Sequence, residues 1–250
     1  MKILSLLCVA AALLLAGCET RSISDSSYSP HGRYGRSSSG FRGELSEFDV
    51  LGITREVRAD QPVTEAEIQK ALEFAKRVRI KRGGSVLLIQ SGAAFPDGPM
   101  VSEMNKHFIT APISGVPPGP PAKTDEAKTD LPAFSKSLRL TAARGGHETI
   151  ICYWGILESA RESLVTKTVS WVPVVSWVAP DERQQMRIRL KLAVIDVRTG
   201  NWTMLSPEPF VDSAWSTSHR RESSDQMQVN ALKQKSYEAA VRELVKACLE

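Results

Sequence analysis

Trp215, His219, Arg220 and Arg221 form the short stretch whose residue types best suit ligand recognition. An indole ring stacks on a flat partner or a cation, and guanidinium groups pair with phosphate or carboxylate oxygens. This spacing indicates a surface that stacks on a sugar ligand or neutralises a phosphate. The alternative is a solvated loop that carries one half-buried tryptophan, and the sequence leaves both interpretations open.

The sequence contains none of the short motifs that organise common catalytic or metal sites. A hydrolase needs a nucleophile activated by a neighbouring base, and neither a G-x-S-x-G turn nor an S-x-x-K pair occurs. His147 and Glu148 do not continue as H-E-x-x-H, because Ile151 occupies the position of the second histidine. No G-x-G-x-x-G or P-loop sequence occurs either. We therefore expect no catalytic residue, no metal and no cofactor.

The N-terminus is typical of an export signal. Lys2 precedes an almost unbroken apolar run over residues 3–16, which has the length of a signal-peptide core and is too short to span a bilayer. Residues 15–18 read Leu-Ala-Gly-Cys, which resembles the lipobox of bacterial lipoproteins. That resemblance implies cleavage before Cys18 and a stable lipid anchor on this residue. The alternatives are an uncleaved anchor helix and an ordinary signal peptide.

Residues 18–43 are predicted to be the lipid-anchor cysteine followed by a tether. The stretch is rich in Ser and Gly and has few large apolar groups, so burial cannot offset its chain entropy. Its net charge of +2 would suit anionic headgroups or cell wall, although a plain solvated spacer explains the composition too. By the lipoprotein resemblance, Glu19 stands where an Asp would retain the protein at the inner membrane, which favours the outer membrane.

Cys152 and Cys248 are the cysteines that remain once the signal peptide and Cys18 are set aside. In an oxidising periplasm two such residues can form a disulfide. Both also lie in apolar patterns, so the alternative is a pair of plain buried thiols. Neither belongs to a C-x-x-C motif, which argues against a zinc or redox site.

The elements that must position these residues follow from hydrophobic periodicity. Thr64 and Glu67 form a capping box at the start of a helix whose apolar positions run from Ile68 to Val78 and which stops at Gly83. Residues 133–144 and the apolar stripe from Tyr237 to Cys248 predict two more helices. Strands are predicted from β-rich or alternating runs at 48–55, 85–91, 149–157, 164–178 and 187–195.

Two segments between these elements have distinct local chemistry. Residues 110–132 contain six prolines, which predicts a loop over one edge of the sheet or a polyproline segment that a partner reads. Residues 196–201 read Asp-Val-Arg-Thr-Gly-Asn and predict a hairpin turn, with Gly200 able to adopt a positive φ. The order of elements predicts a single-domain α/β sandwich over residues 44–250, with a mixed sheet, helices packed on it and a late antiparallel hairpin.

Two stretches within residues 85–250 resemble a known group of proteins. They are Thr-Ile-Ile-Cys-Tyr-Trp-Gly at 149–155 and Leu-Ala-Val-Ile-Asp-Val-Arg-Thr-Gly-Asn-Trp at 192–202. With the lipobox, they resemble periplasmic lipoproteins with a fold similar to the TolB N-terminal domain, which include the curli-secretion lipoprotein and activators of penicillin-binding proteins. The resemblance implies a non-enzymatic role in assembly, secretion or regulation at the envelope.

Charge narrows the classes of partner. The chain carries a net +4, of which Lys2 and the tether supply three, so the predicted domain is nearly neutral and a nucleic-acid partner is disfavoured. We expect an envelope lipoprotein that binds a protein partner, with oligomerisation open. The alternatives are a lipid-anchored hydrolase with a dispersed site and a cell-wall or polysaccharide-binding module.

Overall fold

The computed structural model describes residues 19–24, 43–53, 64–117, 134–163, 182–216 and 221–249. Within these ranges lie seven strands and five helices. In chain order they are β1 (Glu19–Ser22), α1 (Glu47–Leu51), α2 (Glu65–Phe74), β2 (Ser85–Ser91), α3 (Gly98–Met104), β3 (Ile109–Gly115), α4 (Phe134–Arg144), β4 (Thr149–Ser163), β5 (Glu182–Asp196), β6 (Trp202–Leu205), β7 (Phe210–Ser216) and α5 (Arg221–Cys248).

The strands form one open, mixed sheet. Its main order is β3-β2-β4-β5-β6, with β1 paired to β4 and β7 paired to β5. Strand β2 runs parallel to both β3 and β4, whereas β5 runs antiparallel to β6 and β7. Helix α3 lies between the parallel strands β2 and β3, and a tight turn joins the antiparallel strands β5 and β6, so the predicted α/β class with a mixed sheet is confirmed.

The chain divides into two compact units, and β4, β5 and α5 contribute residues to both. The first unit comprises Met1–Ser37, Gly155–Arg189 and Glu208–Ser236, and the second comprises Ser38–Trp154, Leu190–Pro207 and Tyr237–Glu250. In the first unit, Glu158 of β4 pairs with Arg187 and Arg189 of β5, and the bond from Arg187 holds the pKa of this carboxyl below its usual value. In the same unit the ammonium group of Lys233 donates to the carbonyl of Ile23 over 2.9 Å.

The core of the second unit lies on both faces of the sheet, because successive residues of a strand point to opposite sides. Cys152 of β4 belongs to the face that packs against α1 and α4. Its neighbour Tyr153 faces the other side, where its ring meets Tyr237 of α5 edge-on at 5.9 Å between ring centres. Strand β2 is buried along almost its whole length, as its continuous apolar sequence predicts.

The strand prediction for residues 48–55 is wrong, since this segment begins with the short helix α1. The side chain of Ser46 accepts a hydrogen bond from the amide of Phe48 at the helix N-terminus. Gly52 then takes a left-handed conformation, with φ at 77°, and ends the helix after one turn. Local capping therefore overrides the β propensity of the apolar residues.

Helix α2 starts as predicted and ends earlier. Thr64 and Glu67 form the capping box, with the Thr64 amide 2.9 Å from the Glu67 carboxylate. The helix stops at Phe74 rather than near Gly83. Over residues 77–81 burial follows a period of two, with Val78 and Ile80 buried and Arg77, Arg79 and Lys81 exposed. The amide of Ile80 bonds to the carbonyl of Cys248, which holds this segment against the end of α5.

Two segments predicted to be irregular contain strands. Residues 109–115 form β3 at one edge of the sheet, where Pro112 is tolerated because one side of an edge strand needs no ladder hydrogen bond. Residues 19–22 of the predicted tether form β1 against β4. The remainder of the predicted proline-rich loop, residues 118–132, and the predicted strand at 164–178 lie outside the described residues.

Candidate functional site

An open cleft of about 760 Å³ lies in the second unit, and we call it the basic cleft. Its lining includes five cationic side chains and two carboxylates, which are those of Glu148 and Asp196. The cationic residues are Lys76, Arg77, Arg79, Lys81 and Arg198. A concave surface lined mainly by one sign of charge raises the local concentration of the opposite sign. The cleft therefore suits an anionic ligand or an acidic surface.

One wall of the basic cleft is the extended segment that follows α2. Val78 and Ile80 point into the core, each 3% exposed, and this alternation directs Arg79 and Lys81 to the surface. The parallel bridge between Ile80 and Leu249 fixes the segment to the last residues of α5. The cationic wall is thus positioned by two buried aliphatic residues and one backbone pairing.

The opposite wall is the turn between β5 and β6. Asp196 accepts hydrogen bonds from the amide of Thr199 over 2.6 Å and from its hydroxyl over 2.7 Å. Gly200 takes the positive φ that the sequence predicted, at 79°, and its amide bonds to the Asp196 carbonyl. The Asp196 carboxylate is therefore engaged by its own turn. Arg198 is the cationic side chain of this wall, and its Nη2 lies 3.9 Å from the Glu148 carboxylate.

Arg139 of α4 holds this turn in place through two side-chain hydrogen bonds, which we call the Arg139 clamp. Its Nε donates to the carbonyl of Val197 and its Nη2 to the carbonyl of Arg198, each over 2.9 Å. A Cβ atom on Gly200 would lie 2.6 Å from the Arg139 guanidinium, so the glycine also makes room for the clamp. Sequence analysis missed Arg139, because its partners are backbone carbonyls about sixty positions away and leave no local pattern.

A serine–histidine contact also lines the basic cleft. The hydroxyl oxygen of Ser85, the first residue of β2, lies 2.6 Å from Nδ1 of His147, just before β4. Both side chains are half-buried and both line the cleft. Such a pair is one component of nucleophilic catalysis, which also needs a group that orients the histidine. Among the described residues, no carboxylate is hydrogen-bonded to His147.

A second polar cluster lies in the same unit and is fully engaged. Tyr237 donates to the Asp97 carboxylate over 2.5 Å, and Tyr153 donates to Gln90 over 2.5 Å. The Asp97 amide in turn donates to Gln90 over 2.7 Å. Burial is the main cause that raises the pKa of both tyrosines above the usual value near 10. The cluster ties α5 and the start of α3 to the sheet, and its polar groups are occupied by one another.

The residues of the predicted ligand surface are only partly described. His219 and Arg220 lie outside the described residues, as does the predicted lipidation site Cys18. Trp215 belongs to β7, where its backbone pairs with that of Arg183, and Arg221 is the first residue of α5. The grouping of these four residues into one ligand surface stays a prediction.

Cys152 and Cys248 are buried, free thiols. The structure therefore has the two plain buried thiols that were the alternative to the predicted disulfide. Cys152 lies on the face of the sheet that packs against α4, whereas Cys248 ends the helix that packs on the Tyr153 face. The sheet stands between them. Burial raises the pKa of both thiols, which keeps them protonated and poorly nucleophilic at neutral pH.

The described residues contain no cluster of three or more His, Cys, Asp or Glu side chains placed to hold a metal ion. None of the helices in the described parts of the chain combines the length and the apolarity needed to cross a bilayer.

Comparison with known families identifies the protein class. The YafT bacterial lipoprotein family matches residues 46–247, which is most of the chain. The chain belongs to the YafT family of bacterial lipoproteins. The matched range contains every residue of the basic cleft, so in this YafT member the cleft is part of the family's own domain. Comparison with curated proteins gave no match.

Membership in the YafT family supports an envelope lipoprotein attached to a membrane through lipid. The basic cleft is the feature that sequence analysis missed. Its one readable signal is the alternation of basic and apolar residues in Arg-Val-Arg-Ile-Lys at 77–81, which was assigned to the end of a helix. Ser85 and His147 are sixty-two positions apart, and only the parallel pairing of β2 with β4 brings them together.

Proposed function

We propose that this lipoprotein is a non-enzymatic interaction module of the cell envelope, anchored through acyl chains on Cys18, and that its basic cleft docks an acidic segment of a protein partner. The domain faces the periplasm in this proposal. The outer membrane is favoured because Glu19 replaces the Asp that retains lipoproteins at the inner membrane. The resemblance to TolB-like lipoproteins of secretion and cell-wall regulation supports a role in assembly or regulation.

The observation that carries the proposal is the charge of the cleft. Five cationic side chains line it against two carboxylates. Asp196 is engaged by its own turn and Glu148 lies 3.9 Å from the Arg198 guanidinium, so the excess positive charge comes from Lys76, Arg77, Arg79 and Lys81. An open cleft of this size suits an extended acidic segment better than a small enclosed substrate. Complementary charge at such a surface mainly accelerates encounter and selects the partner.

Site-specific crosslinking in cells tests the proposal. Ala143 is exposed and lines the cleft, so a photoreactive amino acid at this position should trap the partner. Leu140 is the matched control, because it is exposed on the same helix but does not line the cleft. Failure to trap any protein at Ala143, or equal trapping at both positions, would contradict docking in the cleft.

Charge reversal separates docking in the cleft from general adhesion. Arg79→Glu with Lys81→Glu places two carboxylates on the wall, and we expect the affinity for the trapped partner to fall at least tenfold, about 1.4 kcal/mol. Lys136→Glu with Arg242→Glu reverses two exposed charges of the same unit outside the cleft and is the control. Equal losses in both double variants would show that net charge, rather than the cleft, drives binding.

The serine–histidine contact supports a second candidate function, a lipid-anchored hydrolase. If the 2.6 Å contact between Ser85 and His147 activates the hydroxyl, a fluorophosphonate probe should label Ser85 in the folded protein, and Ser85→Ala should abolish labelling. The interaction proposal expects no labelling and unchanged crosslinking from Ala143 in Ser85→Ala. Labelling of the wild type and of Ser85→Ala with the fluorophosphonate probe therefore distinguishes the two functions.

A further inference from the structure

Helix α2 stands on the surface with its apolar face uncovered. None of its ten residues is buried, and the side chains of Ile68 and Leu72 are 42% and 63% exposed. A helix this short is marginal in water on its own, and its capping box contributes only about 1 kcal/mol. The helix therefore gains stability if its apolar face is covered.

Three apolar residues of α2 lie on one side. Ile68, Ala71 and Leu72 recur at steps of three and four residues, which places them along one stripe, whereas the exposed Phe74 at the end of the helix lies outside it. Lys70 and Glu73 project from the opposite side. The small side chain of Ala71 within the stripe allows the axis of a second helix to approach closely, so the stripe suits helix-to-helix packing.

Charge indicates what covers the stripe. The first turn of α2 is acidic, with Glu65 and Glu67, and the residues just beyond its C-terminus, Lys76 and Arg77, are basic. If two copies of the helix pair antiparallel, the acidic end of each lies beside the basic flank of the other. A negatively charged bilayer would instead meet a helix with three glutamates and one lysine, which is unfavourable.

We propose that α2 pairs antiparallel with α2 of a second copy of this chain, about a two-fold axis between Ala71 and Leu72. The interface is self-complementary, as two-fold symmetry requires. A single pair of helices about 15 Å long buries less area than the roughly 1,200 Å² typical of stable complexes, so free copies would associate weakly. Copies held on one membrane by lipid anchors meet at a much higher effective concentration, which compensates for the small interface.

Cysteine crosslinking of the full-length protein in its native membrane tests this pairing. Leu72→Cys and Ala71→Cys each place a thiol next to the two-fold axis, and mild oxidation should convert most of either variant to a covalent dimer. Lys70→Cys is the matched control on the opposite side of the same exposed helix. The native Cys152 and Cys248 are buried and should not react. Crosslinking of Lys70→Cys as efficient as that of Leu72→Cys would overturn the proposal.

A charge exchange tests the antiparallel arrangement. In the Leu72→Cys background, Glu65→Lys or Lys76→Glu alone should lower the dimer yield severalfold, and the two together should restore it. Antiparallel pairing would be refuted if the single charge changes left the dimer yield unchanged, or if the double change did not restore it. If the Cys at position 72 gives no dimer but is shielded from a water-soluble thiol reagent by vesicles of anionic lipid, the stripe binds the membrane and the proposal is wrong.

Discussion

Replacing Tyr237 by Phe removes one hydroxyl from the buried cluster and leaves the ring that packs against Tyr153. The lost hydrogen bond ends on the Asp97 carboxylate at 2.5 Å. A hydrogen bond to a charged group stabilises a protein by about 1.5–3 kcal/mol, and one between neutral groups by about 1 kcal/mol. We therefore expect Tyr237→Phe to cost more than Tyr153→Phe, whose hydroxyl donates to the neutral Gln90 side chain.

Urea unfolding followed by circular dichroism measures both variants. With a slope of about 2 kcal/mol per molar, a loss of about 2 kcal/mol lowers the midpoint by about 1 M for Tyr237→Phe and about half as much for Tyr153→Phe. Adding Asp97→Asn completes a double-mutant cycle with Tyr237→Phe, and the coupling should account for most of the loss. Equal midpoints for the two tyrosine variants, or a coupling near zero, would refute the assignment of the charged bond as the stronger one.

Three further results follow from the described contacts. Because burial keeps the pKa of Tyr237 above its usual value, the unfolded chain loses this proton first, so stability should be level below about pH 10 and fall above it, less steeply in Tyr237→Phe. Gly115→Ala would place a Cβ atom 1.9 Å from the Gln90 carbonyl oxygen, and we expect it to lower the free energy of unfolding by about 1–3 kcal/mol in a thermal melt. A melting temperature equal to that of the wild type would contradict this. Without reductant, mass spectrometry should find Cys152 and Cys248 unmodified by iodoacetamide in the folded protein and both alkylated in urea, whereas a disulfide would leave both unmodified in each.

The parts of the fold that sequence analysis predicted are those specified by neighbouring residues. The run at Ser85–Ser91 is apolar throughout, and it forms a strand covered on both faces. The Thr64 capping box needs only Glu67 three positions on, and the turn before β6 needs only Asp196, Thr199 and Gly200. The capping box and the turn close their hydrogen bonds within a few residues, so the local sequence specifies them fully. The hydrogen bonds of the Ser85–Ser91 strand go to distant strands, but its apolar composition alone predicts a buried strand.

The candidate site was missed because distant segments assemble it. The clamp of Arg139 on the turn and the contact of Ser85 with His147 each join residues about sixty positions apart. The local spacing predicts a helix that includes Arg79 and Lys81, because Val78 continues the helical spacing of the preceding apolar residues. The segment extends instead because Ile80 pairs with Leu249 at the far end of the chain. Both the helical period and the strand period of two fit the local sequence, and the pairing of Ile80 with Leu249 selects the extended conformation.

The net charge of the predicted domain does not reveal the basic cleft, because the fold brings the cationic side chains together. The chain beyond the predicted tether is nearly neutral, which disfavours a polyanionic partner such as nucleic acid when charge is averaged over the whole domain. The fold nevertheless gathers five cations into one cleft, and screening makes such local grouping matter more than the total, because charges beyond about 10 Å contribute little in physiological salt. A nearly neutral domain with one concentrated basic surface should bind an acidic segment at that surface and adhere weakly to anionic polymers elsewhere. Rising salt should therefore weaken binding of the partner to the wild type more than to the Arg79→Glu and Lys81→Glu double variant.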